Sequence, residues 1–273
     1  MSVTNLAKRR GEILDEIIAH QREILPKTMA EVPFDDLRAL AAVASPPRDF
    51  EAAVRAPGVS LIAECKKASP SKGLLMPDYD PVRLARTYEK AGARAVSVLT
   101  DARHFQGSLA HLRDVREAVR LPVLRKDFIF HPYQVYEARV AGADAILLIA
   151  AILSDADIKA LLALARRLGM AALVEVYSRD ELARVLPQRP ALIGINNRNL
   201  QTFEVDFENT ARLRALVPPD VAVIGESGIR TPEDVRAMGQ AGVDAILVGE
   251  ALVRSKDIGS AAGALVRAGL PQR

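Results

Sequence analysis

The stretch "ECKKASPSKG", residues 64–73, follows the apolar run "VSLIA" and sets one carboxylate and two ammonium groups at its end. A lone buried charge is costly and is normally paired or neutralised. These charges are therefore either exposed or gathered on something. Alternate side chains of a strand share a face, so Glu64 and Lys66 point one way, while Cys65 points the other way as a small buried hydrophobe. Similar endings recur along the chain. "RKDF" supplies Lys126, with Arg125 and Asp127 directed elsewhere, into an ion pair at the rim. "LVEV" supplies Glu175 beside inward Leu173, and "GINNRN" supplies Asn196, with Asn197, Arg198 and Asn199 in the loop that follows. "VIGES" supplies Glu226. Three carboxylates and two lysines facing one space would perturb one another's pKa values. That is the raw material of general acid–base chemistry with no metal.

Two glycine-bearing loops add a second function. In "ESGIRTPEDV", Ser227 and Gly228 stand just ahead of a helix opened by Thr231, Pro232 and Glu233. In "VGEALVR", Gly249 directly follows an apolar run, with Glu250 at the start of a short helix. Backbone N–H groups at such helix starts bind phosphate, and glycine permits close approach. The histidines (His20, His104, His111 and His131) show no metal-ligand spacing, and His104 and His111 are expected to be solvated.

These residues need a scaffold that brings strand ends together. Short aliphatic runs recur at 59–65, 95–100, 122–128, 144–150, 171–176, 191–196, 221–227 and 244–250. Amphipathic segments lie between them, among them Pro81–Ala91, Tyr133–Ala141, Ala156–Leu168 and Pro232–Ala241. Gly92, Gly142, Gly169 and Gly242 stand where helix C-caps favour glycine. Strands alternating with helices predict βαβ units and a parallel sheet. Eight units predict an α/β fold of the (β/α)8 TIM-barrel class, with an open doubly wound sheet as the alternative. "AGADAILLIA" and "AGVDAILVGE" are near copies half a barrel apart, as a repeated unit would produce.

Residues 1–57 precede the first beat and predict a helical N-terminal extension of a single domain spanning 1–273. Ile13, Leu14, Ile17 and Ile18 recur at helical spacing, and two short helices are expected in residues 33–54. The extension either caps one barrel opening or covers the substrate mouth.

Composition narrows the class further. Hydrophobic residues make up 49% of the 273, enough for a large core. A net charge of +3 with interleaved signs, and aromatics at 4%, argue against a nucleic-acid partner. One cysteine rules out a disulfide framework or a thiolate metal site. The start lacks the apolar region of a signal peptide, and no stretch is long enough for a membrane span. A cytoplasmic protein, monomeric or a small homo-oligomer, is expected. The chain ends soon after the eighth unit, so no second fused barrel is expected.

The motifs "ECKKASPSKG", "SVLTDARHFQGS", "LRKDFI" with "PYQVYEAR", "LVEV", "GINNRNL" and "ESGI" together resemble indole-3-glycerol phosphate synthases over nearly the whole chain. The resemblance implies ring closure of 1-(2-carboxyphenylamino)-1-deoxyribulose 5-phosphate, a small sugar-phosphate substrate, with loss of CO2 and water and no cofactor. It makes Lys126 the general acid on the substrate carbonyl, and it gives Glu64, Lys66 and Glu175 the later proton transfers and the departing hydroxyl. Asn196 and Glu226 would position and polarise the substrate. Ser69 and Pro70 would belong to a mobile first loop, and Arg198 to substrate binding. Ser227, Gly228, Gly249 and Glu250 would line the phosphate site. Many family members carry serine at the position of Glu250. A glutamate there would offer only its backbone N–H and must turn its carboxylate away from a dianion. Phe128, Leu148 or Phe105 are expected against the aryl ring. Two other readings remain open at this point: a Schiff-base aldolase or sugar-phosphate isomerase with Lys126 as the amine, and a silent phosphate-ligand binder.

Overall fold

Eight parallel strands close into a barrel: β1 (Ser60–Cys65), β2 (Ala95–Leu99), β3 (Val123–Lys126), β4 (Ala145–Ile149), β5 (Ala171–Val176), β6 (Leu192–Asn196), β7 (Ala222–Glu226) and β8 (Ala245–Val248). Each pairs in parallel with the next, and β8 pairs back to β1 through Ser60 opposite Ala245. The computed structural model describes residues 3–271, with side chains from residue 13 onward. The expected beats match these strands to within one or two residues at each end, and the sheet closes rather than opening.

Two apolar layers build the barrel, because strand side chains alternate between faces. Ile62, Leu124, Leu147, Leu173, Leu192, Ile224 and Leu247 fill the interior, while Cys65, Val96, Ile146, Val174 and Ile193 pack outward against the helices. Gly92, Gly142, Gly169 and Gly242 end their helices with φ of 92°, 86°, 77° and 79°, a left-handed conformation that a Cβ would strain. The two near-copies share a device. Asp144 accepts the backbone N–H of Val123 at 2.7 Å, and Asp244 accepts that of Val223 at 2.8 Å. Each aspartate thus pins the start of the preceding strand.

The N-terminal extension serves both ends of the barrel. Its first helix, α1 (Val3–Glu31), crosses the C-terminal mouth. There Ile17 and Ile18 join the interior cluster with Phe128, and Gln21 Nε2 donates to Asp101 Oδ2 at 2.9 Å. The Tyr133 hydroxyl donates to the carbonyls of Thr28 and Val32, which fixes the far end of α1. The second helix, α2 (Phe34–Val43), leads away along the barrel wall, with Phe34 against Tyr133 and Tyr136. The third, α3 (Phe50–Val54), plugs the opposite opening with the buried side chains of Phe50 and Val54. Ser60 Oγ donates to the Ala53 carbonyl, and the Arg48 N–H donates to Asp144, so the plug is tied to strand beginnings.

Candidate functional site

The strand ends at the C-terminal mouth all deliver their inward residue. On β1 the alternation Ser60, Ile62, Glu64 brings a carboxylate to the top; on β3 it is Leu124 then Lys126. On β5 Glu175 follows Leu173, on β6 Asn196 follows Gly194, and on β7 Glu226 follows Ile224. Glu64, Glu175, Asn196 and Glu226 are each at most 5% exposed. Lys66 closes on Glu64 with Nζ 2.5 Å from Oε1.

Lys126 stands at the centre of the group. Its Nζ lies 3.4 Å from Glu175 Oε2 and 3.9 Å from Glu226 Oε2. Burial pulls the ammonium pKa down, but Glu175, Glu226 and Glu64 together outweigh it and hold the group well above the ordinary lysine value. Glu226 moves in the opposite chemical sense. Burial raises its carboxyl pKa far above the usual range, the Glu175 charge adds to this, and Lys126 offsets only part. Asn196 Nδ2 donates to Glu175 Oε1 at 3.0 Å, and Asn196 Oδ1 accepts the N–H of Arg198 at 2.9 Å. One amide thereby orients a carboxylate and starts the loop.

A cavity of about 610 Å³ opens in front of these groups, lined by Glu64, Lys66, Lys126, Asn196, Arg198 and Glu226 on one side. Ser227, Gly228, Gly249 and Glu250 form its other wall. Glu175 faces a neighbouring cavity of about 270 Å³, whose walls include Leu14 of α1, Ile149 and Leu200. Ser69 and Pro70 lie half-buried in the β1 loop, where Ala68–Ser69 pairs with Gly73–Leu74 as a small hairpin. They stand outside the walls of the larger cavity, which the first loop reaches through Lys72 instead. The Glu250 carboxylate turns toward Arg198 at 3.9 Å and Arg254 at 3.4 Å, and so is neutralised within the wall it belongs to.

Three expectations are corrected. Leu148 points outward into the helix layer, because Leu147 and Ile149 take the interior positions on β4. Phe128 and Phe105 do face the interior, their rings 6.1 Å apart. Arg125 and Asp127 form no rim pair. They are buried behind the strand, 3.0 Å apart, and Arg125 also reaches Glu137 at 2.8 Å on the following helix. His104 and His111 are half-buried rather than solvated: His104 Nδ1 lies 3.4 Å from Asp101, and the His111 ring packs against Tyr79. Burial accordingly lowers the His111 pKa.

Residue types without an obvious chemical signature also shape the site. A Cβ on Gly194 would fall 2.2 Å from Glu226 Oε1, and one on Gly249 would fall 2.3 Å from Glu64 Oε1. Both glycines are therefore the space that carboxylates occupy. Ser97, opposite Glu64 in the sheet, is fully buried, and its hydroxyl has no hydrogen-bond partner among the described residues. Arg230 and Arg254 join Lys72 as cations on the walls of the larger cavity. Their signal was present only as scattered loop charges.

Strand ends that carry acids, bases and an amide to one mouth, beside a glycine-walled recess, define a (β/α)8-barrel enzyme. Residues 14–265 match the family model for indole-3-glycerol phosphate synthase, and the chain belongs to that family. It is 52% identical over 257 residues to the indole-3-glycerol phosphate synthase of Roseiflexus sp. (strain RS-1), covering 91% of this chain and 96% of that one. To the enzyme of the same name from Rhodopirellula baltica it is 49% identical over 255 residues, covering 93% and 98%. Among solved structures, 3-hexulose-6-phosphate synthase from Salmonella typhimurium shares the fold, with a TM-score of 0.64 at 11% identity, over 77% of this chain and 98% of that one. Among the described residues, no helix is long and apolar enough to cross a membrane.

Proposed function

We propose that this chamber closes 1-(2-carboxyphenylamino)-1-deoxyribulose 5-phosphate to indole-3-glycerol phosphate, the carboxy-lyase step of tryptophan biosynthesis. The observation that carries the assignment is the half-buried Lys126 ammonium, held between Glu175 and Glu226 and kept protonated by them. Ring closure joins the carboxyl-bearing aryl carbon to the ketone carbon, and the developing alkoxide takes its proton from Lys126. CO2 leaves from that aryl carbon and restores the aromatic ring. Water then leaves, which needs an acid for the hydroxyl and a base for the neighbouring C–H. Glu64 and Lys66, paired at 2.5 Å in the same cavity, supply such a couple, and Glu175 takes part from its place beside Lys126. Asn196 holds Glu175 in register, and Glu226 polarises the substrate from below. No electron is gained or lost overall, so the steps need only proton transfer and charge stabilisation.

The phosphate belongs against Ser227, Gly228, Gly249 and the N–H of Glu250, with Arg198 and the cations Lys72, Arg230 and Arg254 around it. Phe105 and Phe128 offer the aryl ring an apolar wall below α1. Ser69 and Pro70 sit in the β1 loop, which brings Lys72 to the same chamber. The functional unit is one barrel domain over residues 1–273, with residues 1–57 as its helical extension. It acts in the cytoplasm on a small sugar phosphate, as a monomer or small homo-oligomer, with no nucleic-acid or membrane partner and no cofactor.

An aldolase of the Schiff-base type needs a neutral amine. Three carboxylates that raise the Lys126 pKa work against that state. The test is direct, because the chain has no tryptophan. Substrate added to the purified protein with EDTA should produce rising indole fluorescence at catalytic protein concentration. Absence of that signal, or a borohydride-trapped adduct on Lys126, would overturn the assignment.

A further inference from the structure

Ser227, at the exit of β7, holds φ at 64°, a left-handed backbone conformation rare for a residue with a Cβ. Such strain persists only where surrounding groups enforce it. The enforcing group is Asn197, one residue beyond the Asn196 amide. Asn197 is fully buried, and its Nδ2 donates to the Ser227 carbonyl at 3.0 Å. Its Oδ1 accepts both the N–H of Thr210 at 3.0 Å and the Thr210 hydroxyl at 2.7 Å. The backbone is tied as firmly: Asn197 N–H donates to the Glu226 carbonyl, and its carbonyl accepts the N–H of Asp206, both at 2.8 Å. Thr210 is itself fully buried at the start of the helix Asn209–Arg214.

The result is a rigid strut running from that helix, through one side-chain amide, to the backbone of the recess. A Cβ on Gly228 would come 2.8 Å from Val205 Cγ1, so the β6 loop also closes on the next residue. Asn197 does not line the cavity that holds the acids and bases. We propose that Asn197 is a positioning residue for substrate phosphate, acting by holding Ser227 and Gly228 in the one backbone geometry that aims their N–H groups into the recess. The inference rests on the phosphate reading of that recess given above. It separates two jobs of adjacent residues: Asn196 serves the reacting end of the substrate, and Asn197 the anchored end.

The deciding variant is Asn197→Asp, which keeps an acceptor for Thr210 and replaces the donor facing the Ser227 carbonyl. Calorimetry with inorganic phosphate should show binding weaker by about 10-fold, as loss of one buried hydrogen bond implies. KM for the substrate should rise by a similar factor, with kcat retained within about threefold. Thr210→Val, which keeps shape and deletes one leg of the strut, should show the same split to a smaller extent. Asn197→Asp combined with Ser227→Gly should recover phosphate affinity toward that of Ser227→Gly alone, because glycine adopts the left-handed backbone without enforcement. Phosphate affinity unchanged in both Asn197→Asp and Thr210→Val would overturn the strut, as would a fall in kcat at constant KM. A wild-type protein that binds no phosphate would instead overturn the recess assignment beneath it.

Discussion

Lys126 and Glu175 meet across the top of the barrel, Nζ 3.4 Å from Oε2, although a whole strand lies between theirs and their positions differ by 49 in the sequence. The pair exists because β3 and β5 each end on an inward residue, and because Asn196 holds the far oxygen of the same carboxylate. The charge state of Lys126 follows from its neighbours. Burial disfavours the ammonium, yet Glu175, Glu226 and Glu64 favour it by more. Stability gained from a raised lysine pKa is fully present below the ordinary value of about 10.4 and is lost only as pH climbs through the raised one. Lys126 should therefore contribute no alkaline limb to the rate profile below about pH 10. Glu175→Gln removes the largest raising charge and lets burial pull the pKa down. Titration of labelled lysine nitrogens by NMR should show that downward move, and a wild-type Lys126 titrating near neutrality would refute the charge balance.

Glu226 predicts a loss of stability with rising pH as well, but in a lower window, because here the raised pKa belongs to a carboxyl group. Its raised carboxyl pKa, from burial first and the Glu175 charge second, means the unfolded chain ionises at lower pH than the folded one. Stability is then lost as pH rises from the ordinary carboxyl range toward the raised value. Glu226→Gln should melt higher than wild type at pH 8, by about 2–4 °C for each kcal/mol relieved, and the gap should shrink toward pH 4. Turnover should fall in the same variant. Thermal melts at the two pH values decide it; equal melting temperatures at pH 8 would mean that burial of this carboxylate is not strained.

Gly194 is the space beside Glu226. Gly194→Ala places a methyl 2.2 Å from Glu226 Oε1, and overpacking of this kind costs about 1–3 kcal/mol. Because the displaced group is a carboxylate of the chamber, turnover should fall by about 10- to 100-fold, within the usual range for a misplaced proton-handling group. Combining it with Glu226→Ala should remove the stability penalty, since the clashing atoms are gone. A double variant that is as destabilised as Gly194→Ala would show that the methyl meets something else.

The docking of α1 over the mouth includes a buried polar contact beside the apolar ones of Ile17 and Ile18. Gln21→Ala leaves Asp101, 2% exposed, without that donor, at an expected cost of about 1–3 kcal/mol. Amide exchange should accelerate in α1 while strand amides keep their protection, and KM should rise with the loosened roof. Uniform acceleration across the barrel would mean that α1 is part of its core cooperative unit rather than a docked lid.

Much of this arrangement was legible in the chain because strand alternation is a strict rule. Glu64 and Lys66 had to share a face, and the structure pairs them. The four glycine helix exits were equally readable, since only the left-handed turn explains glycine there. Leu148 was misread because β4 is apolar on both faces, so no polar residue marks which parity is inward. Gly194 carries no signal in sequence, and Gly249 was read only as a glycine of the phosphate loop, not as space for Glu64. Their role is the volume claimed by a carboxylate from another strand, and that is known only once the barrel closes. Arg125 and Asp127 gave a correct pairing in the wrong place, because the third charge, Glu137, arrives from the next helix. Asn197 hid for a similar reason: its partners stand 13 and 30 residues away.

The most direct measurement is release of labelled CO2 from the carboxyl-labelled substrate in a single turnover, comparing wild type with Lys126→Ala. CO2 departs only after the aryl carbon has bonded to the ketone carbon, so the label reports ring closure and not the later loss of water. If Lys126 protonates the alkoxide, release should slow by about 10²- to 10⁴-fold, with inorganic phosphate binding nearly unchanged. Release at the wild-type rate would contradict the account and move the proton donor elsewhere in the chamber.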